Sequence, residues 1–409
     1  MDSEDPDPAG PAPNDEGVAA AAVASATRHG RALLKSISAN NVGATGSHET
    51  GFYLPKGEWR LFAPEGPVKG ENRTWDVEVR WWRHGPTASH VKWYGSGTRS
   101  EYRLTGFGRA FPYLTEAQIG SLLVLVKTGP ATFEAFVADH DDDIEEIQAG
   151  LGVEVLGSHA VFEAARAPVA PAPARTVASF AADYAAALVT FPTTRELAAR
   201  AREAVLAADR GFPARDLDAK LLALVEAEYV LFQEVERRVY ALEEARGASP
   251  SNLDAFLRRA QSYLQRRKAR AGKSLEHHVA AILTEAGVPF STGPDAEVDG
   301  TRPDLLIPGR DAYLDQEHPD DALWMLGLKT TCRDRWRQVL QEAPRLRRRH
   351  LLTLQAGVSG AQLRQMQENG VTLVVPRALH DAFAPDDRPR LLTVAKFVET
   401  VRDRLRAAR

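Results

Sequence analysis

The sequence predicts a multidomain protein with a β-rich N-terminal half and an α/β C-terminal domain. Three observations carry this. The 409-residue chain is long enough for two or three domains. Five of its seven tryptophans lie before residue 94, among short alternating segments and glycine turns. After Gly272, apolar stripes with helical spacing alternate with short apolar runs, the pattern of helices around a central sheet.

Composition removes several classes. The chain is 44% hydrophobic and 26% charged, as an ordinary globular protein is. No apolar stretch reaches the roughly 18 residues a membrane span needs. The acidic, proline-rich start (Asp2, Glu4, Asp5, Pro11, Pro13) is the opposite of a signal peptide. A single cysteine, Cys332, excludes an internal disulfide and fits a reducing cytoplasm. The net charge of −4 gives no global sign of nucleic-acid binding, which must then rest on local basic patches.

Residues 1–17 lack periodicity, and a disordered acidic tail is expected over 1–25. Next come β segments such as Gly51–Pro55 and the alternating Thr74–Trp81. The acid run Asp139–Glu146 reads as the solvated first turn of a helix, since no calcium-loop spacing follows. The Pro/Ala stretch over 164–180 is the expected linker, with domains over 26–163 and 181–409. Beyond it a helix covers Leu217–Leu242 and another Ser274–Ala286. Strands follow at 304–307, 323–330, 350–354 and 371–375, with helices at 334–343 and 359–369.

Chemistry concentrates in the C-terminal domain. Asp304 opens a strand bounded by Pro303 and Pro308, and Lys329 ends the apolar run from Trp324. In the predicted helix 334–343, Trp336, Val339, Leu340 and Ala343 form an apolar face, with Glu342 at its edge. A carboxylate there is costly unless paired or bound to metal. Glu276 sits similarly beside the stripe Leu275, Val279, Ile282. Two acids and a lysine at the ends of core elements suit a magnesium-dependent phosphodiesterase, with hard oxygen ligands and an ammonium near the attacking water. Ordinary salt-bridged residues would give the same spacing. Arg333-Asp334-Arg335 reads equally as a reader of G·C pairs or as a solvated capping turn. The basic clusters Arg266–Lys273 and Arg345–Arg349 read as phosphate contacts or as solvated faces.

These residues resemble a known family. The stretch Arg266–Glu276, then Pro303-Asp304, Leu328–Gln338, His350–Gln355 and Val371–Pro376 closely resembles the catalytic domain of EcoRII-like type IIE restriction endonucleases. Ala39–His48 and Thr98–Arg103 resemble the effector-binding domain of the same family. The resemblance implies a PD-(D/E)XK nuclease core behind an N-terminal DNA-binding pseudobarrel. It implies a homodimer joined through the nuclease domains and cutting double-stranded DNA at a short CC-N-GG-type (CCWGG-like) site. Cleavage would be stimulated by a second copy of the site bound as effector. A cognate DNA methyltransferase is the implied genetic partner. Asp304 and Glu342 would bind Mg2+, Lys329 would act on the attacking water, and Glu276 would support them. The family's last acid has migrated from the strand to the next helix, which Gly327 in the usual acid position fits. Tyr313 matches a family tyrosine with a packing or phosphate role.

Arg333, Asp334 and Arg335 would read the G·C pairs, with Arg333 in place of a lysine, a change of donor geometry at constant charge. His48, Tyr53, Arg99, Glu101 and Arg103 fall on effector-DNA positions, while Gly97 and Tyr102 replace lysines. Around Glu226–Phe232 the family builds a pocket for a flipped base; here Glu226 stands where an arginine is expected, and Tyr229 and Phe232 could stack or simply pack. Two rival readings are a sequence-specific DNA-binding regulator with an inactive nuclease fold and a repair or modification-dependent nuclease.

Overall fold

Alternation decides the first domain. Along Asn72–Trp81, Val77, Val79 and Trp81 turn inward while the residues between them stay exposed. That strand joins a sheet of eight. The strands are β1 (Arg31–Ser36), β2 (Phe52–Leu54), β3 (Asn72–Trp81), β4 (Gly85–Tyr94), β5 (Glu101–Thr105), β6 (Leu122–Lys127), β7 (Thr132–Ala138) and β8 (His159–Glu163), in the order β2-β5-β4-β3-β7-β6-β1-β8. All pairings are antiparallel except β3 with β7. The Lys35 amino group of β1 lies 5.6 Å from the Tyr53 ring of β2, although the two strands are six places apart in the sheet. The sheet is therefore curled, as the expected pseudobarrel requires. Its inside is aromatic, with Phe52, Trp81, Trp93 and Tyr102 almost wholly buried.

This computed structural model describes residues 17–46, 50–108, 110–164, 176–247 and 250–407. Helix α1 (Val18–His29) buries Val18, Ala19, Ala22 and Ala26, so residues 18–25 belong to the folded domain and not to the expected tail. The alanine-rich composition hides this, but alanine is the best helix former and its small side chain packs closely. Helices α2 (Trp59–Phe62) and α3 (Asp141–Leu151) complete the domain. Residues 177–180, counted with the linker, open α4 (Val177–Ala186), which Thr176 and Ser179 cap reciprocally.

In the second domain α4 is followed by α5 (Thr194–Ala208), α6 (Leu217–Ala245) and α7 (Leu253–Glu285). The helix expected from Ser274 is the last third of α7, because Gly272 does not interrupt it. Beyond lie β9 (Ser291–Thr292), β10 (Leu305–Ile307), α8 (Arg310–Leu314), β11 (Trp324–Lys329), β12 (Arg349–Thr353), α9 (Gly360–Glu368), β13 (Val371–Val374) and α10 (Val394–Ala407). The sheet order is β13-β12-β11-β10-β9, parallel on the β11–β12–β13 side and antiparallel on the other. Successive residues divide between two cores. Leu305, Leu326, Leu328 and Leu352 face α7 and α10, while Leu306, Met325 and Leu351 face the opposite layer. Both faces are buried, so β11 reads as a continuous apolar run.

Asp218 ties this domain together. Its carboxylate is 3% exposed and accepts N–H bonds from Arg377 (3.0 Å), Val394 (2.9 Å) and Ala395 (3.0 Å), capping α10 from the start of α6. Asp218→Ala is expected to cost on the order of 3 kcal/mol, because three donors lose a charged acceptor. A denaturant midpoint indistinguishable from the parent would refute this.

Candidate active site and domain seam

The start of β10 and the end of β11 meet because the two strands run antiparallel, Leu305 opposite Leu326. This brings Asp304 beside the last turn of β11. Its Oδ2 accepts the Leu328 N–H at 2.7 Å and lies 3.6 Å from the Lys329 ammonium. Both side chains are about one-fifth exposed, open enough to meet a substrate.

Glu342 arrives differently from expectation. The apolar stripe Trp336–Val339 belongs to a 3-10 helix, Arg335–Gln341, and Glu342 follows it in extended conformation. Pro344 is the reason: an α-helix cannot run through the residue before proline, and Ala343 instead takes φ +47°. Gly327 explains why no acid stands on β11. A Cβ there would lie 2.7 Å from Val339 Cγ1, so the 3-10 helix packs into the space an acid would need. Burial, the negative charge of Asp304, and the smaller opposing pull of Lys329 and Arg349 bring the Glu342 carboxyl up to about 7.

A cation would fit here. Glu342 Oε2 is buried with no hydrogen-bond partner, and Asp304 supplies a second hard oxygen donor. Two carboxylates plus water and phosphate oxygens are an ordinary magnesium donor set. Among the described residues no group of three or more His, Cys, Asp or Glu gathers for a metal. Glu276 is engaged elsewhere: Lys273 holds both its oxygens at 2.9 and 2.7 Å. The buried Tyr313 hydroxyl donates to Asp299 at 2.7 Å and accepts the Arg345 N–H, a packing role.

The Arg-Asp-Arg loop faces the first domain. Arg333 is 8% exposed and donates to the carbonyls of Asp139 (2.9 Å), Ala117 (3.0 Å) and Ile119. Asp141 is wholly buried; its Oδ2 accepts the N–H groups of Asp334 and Arg335, each at 3.0 Å, and its own N–H donates to Asp334 Oδ1 at 3.1 Å. Burial raises the Asp141 carboxyl, and Asp334 beside it adds to the rise. Arg335 pairs with Asp142 at 2.6 Å and with Glu145. The acid run is therefore only partly solvated, with Asp139, Asp142 and Glu146 exposed but Asp141 buried against the loop, and the loop is no solvated capping turn. Helix α3 turns its acidic start onto the loop.

More contacts extend the seam. Gln355 donates to the Gly120 carbonyl at 3.0 Å, where a Cβ on Gly120 would lie 2.4 Å from the Gly357 oxygen. From the basic cluster on α7, Arg267 bonds Ala149 O at 2.7 Å and the Glu236 carboxylate, and Arg270, 2% exposed, pairs with Glu154. Tyr229 donates to Gly152 O at 2.9 Å, while Phe232 is buried against Phe191. Sequence reasoning had no signal for this seam, whose partners lie up to 235 residues apart.

On the first domain, Tyr53 faces Arg103 across β2 and β5, and Arg103 Nε donates to Glu101 at 2.8 Å. Arg99 lies over Tyr94, 5.3 Å from its ring centre. His48 lies outside the described residues. Tyr102 is not on this surface; it is fully buried between Trp75, Trp93 and Phe62. The sequence reading missed Lys35, 3% exposed and lowered to about 8 by burial. A lone lysine inside an apolar strand was the available signal. Lys35 and Tyr53 line a cavity of about 500 Å³ whose far wall includes Leu222 and Glu226 of α6.

Comparison with known proteins agrees with this two-part layout. Residues 26–164 match the family described as "Restriction endonuclease EcoRII, N-terminal", and residues 232–398 match "EcoRII C terminal". The type II restriction enzyme EcoRII of Escherichia coli is 32% identical over 382 residues, covering 89% of this chain and 92% of that protein. Two solved structures are also similar. Metal-depleted Ecl18kI with uncleaved, modified DNA has 20% identity and a TM-score of 0.42, covering 56% of this chain and 84% of that one. The PspGI–substrate DNA complex has 18% identity and a TM-score of 0.44, covering 53% and 94%. The molecule is thus of the class of type II site-specific nucleases. Within that class, the chain belongs to the EcoRII family of restriction endonucleases. No helix among the described residues is long and apolar enough to cross a membrane.

The raised Glu342 pKa has a sign in metal-free protein. The unfolded chain ionises this carboxyl near its ordinary 4.5, the folded chain only near 7. Stability therefore falls as pH rises through that window and falls no further above it. With EDTA present, Glu342→Gln is expected to raise the thermal midpoint at pH 8 and leave it unchanged near pH 4. Equal midpoints for the two proteins at pH 8 would contradict the burial of this carboxyl.

Proposed function

We propose that the molecule makes Mg2+-dependent double-strand cuts at a short CC-N-GG-type (CCWGG-like) site and is stimulated by a second copy of that site. The observation that carries this reading is the convergence of Asp304 at the start of β10, Lys329 at the end of β11 and Glu342 beyond the 3-10 helix. Asp304 and Glu342 would hold Mg2+, which when bound supplies Lewis acidity toward the phosphodiester. Lys329, its ammonium beside Asp304, orients the attacking water and offers positive charge to the phosphate as negative charge grows. In-line attack leaves a 5′-phosphate and a 3′-hydroxyl. Glu276 supports the site once Lys273 turns to the DNA backbone.

Arg333 and Arg335 suit guanine O6 and N7, and Asp334 suits the cytosine N4 amino group. All three are bonded to the first domain here, so reading DNA requires the seam to open. His48, Tyr53, Arg99, Glu101 and Arg103 would hold effector DNA. Because Lys35 and Tyr53 share their cavity with α6, DNA seated there would compete with closure. A homodimer with two-fold symmetry matches a near-palindromic site. A methyltransferase of the same specificity would protect the host DNA in the cytoplasm.

The first test is cleavage of a plasmid carrying several CC-N-GG-type sites, with Mg2+, end sequencing, and a single-site control. Discrete cuts that need more than one site support the reading; specific binding without cutting would favour the regulator. Lys329→Ala is expected to lower cleavage by roughly two to three orders of magnitude with DNA binding retained; full activity in that variant would sink the site assignment. Asp141→Ala is expected to raise cutting of the single-site plasmid about tenfold, the response to losing some 1.4 kcal/mol of closure. Unchanged single-site cutting would remove the seam from the regulatory reading.

A further inference from the structure

We propose that Arg349 is a positioning residue that fixes the Glu342 carboxylate for the cation. The inference rests on the reading of Asp304 and Glu342 as the cation-binding pair. Glu342 is delivered from an unusual piece of chain. It follows a 3-10 helix, and the next residue, Ala343, has φ +47° in the left-handed region that side chains with a Cβ rarely occupy. Such a turn persists only where its surroundings hold it. Two contacts do so. The Ala343 N–H donates to Thr301 Oγ1 at 3.3 Å, and Arg349 Nε donates to the Glu342 carbonyl at 3.0 Å.

Arg349 is well placed to impose a geometry. It is the first residue of β12, and its own N–H is bonded to Gly370 O at 2.9 Å, so its backbone is fixed by the sheet. Only 8% of it is exposed, although burying a guanidinium is costly. A carbonyl acceptor alone does not require a charged donor; a neutral one would satisfy it. What the arginine adds is a directional N–H on a planar group and a positive charge beside the carboxylate. Because Val339 fills the space over Gly327, the acid cannot be held by β11 itself. The bond from β12 to the Glu342 main chain takes that role.

The test uses the full-length protein. Mn2+ affinity is measured by electron paramagnetic resonance, and cleavage is measured as a function of Mg2+ concentration. Arg349→Ala is expected to weaken Mn2+ binding about 10- to 100-fold and to raise the Mg2+ needed for half-maximal cleavage by the same factor. DNA binding without metal stays unchanged. Arg349→Lys keeps the charge but has no donor at the Nε position, so most of the loss remains. Wild-type Mn2+ affinity in Arg349→Ala, or full rescue by Arg349→Lys, would overturn the inference. Should Arg349→Ala fail to fold, Thr301→Ala releases the Ala343 N–H, together with the hydroxyl's own bond to the Val298 carbonyl, and is expected to give a smaller loss of the same kind; unchanged Mn2+ affinity there would overturn it. Glu342→Gln separates the two levels. If that variant binds Mn2+ as the parent does, the carboxylate pair itself is wrongly assigned, whatever Arg349 does.

Discussion

A missing side chain governs the catalytic half of this molecule. Gly327 on β11 leaves a space that Val339 enters, and with Val339 comes the whole 3-10 helix. The close approach brings Trp336 and Val339 into the core and leaves no space on the strand for an acid. The second carboxylate must therefore come from outside the sheet. The strain at Ala343, the arginine bond from β12 and the half-buried carboxyl near 7 all follow from that displacement. A strand position would have fixed the acid through the ladder hydrogen bonds at no extra cost. A turn position needs separate supports, each of which can be lost by one mutation.

The seam places a second demand on residues near that site. Arg333, Asp334 and Arg335 are engaged by the first domain through main-chain oxygens, main-chain N–H groups and carboxylates. A buried charge left without partners is costly, so Arg333, 8% exposed, depends on these carbonyls more than its neighbours depend on their partners. The parts of the seam differ in character. Asp142 is largely exposed, and its pair with Arg335 is worth little and weakens in salt. Asp141 is buried and meets backbone N–H groups, which salt hardly screens.

How far the sequence revealed this depends on how local each signal was. Asp304 and Lys329 were legible because one opens an apolar run and the other ends one, and adjoining antiparallel strands bring such a start and end together. Glu342 does lie beside Asp304 and Lys329, but its element was misread: Trp336 and Val339 are three apart, a spacing common to α and 3-10 helices, and only Pro344 distinguished them. The acid run at 139–146 was placed on the first turn of a helix and given to solvent, which holds for Asp142 and Glu146 but not for the buried Asp141, since periodicity finds the helix but not its partner. Tyr102 shows the same limit in reverse. A position matched to a surface cation carries an aromatic, and packing against Trp93 took it inside. The α7 boundary failed because one glycine in a 33-residue helix costs about 1 kcal/mol, too little to end it.

The hold on Arg333 has an evolutionary consequence. Its three acceptors are the main-chain oxygens of residues 117, 119 and 139, which every amino acid carries. Drift in those side chains deletes no acceptor, so the grip on this arginine is insulated from most substitutions in the first domain. The hold on Arg335 is not, because it uses the carboxylates of Asp142 and Glu145. Lineages can thus retune how tightly the two halves close by exchanging a few acids on α3, while the clasp at Arg333 keeps the same docking register throughout.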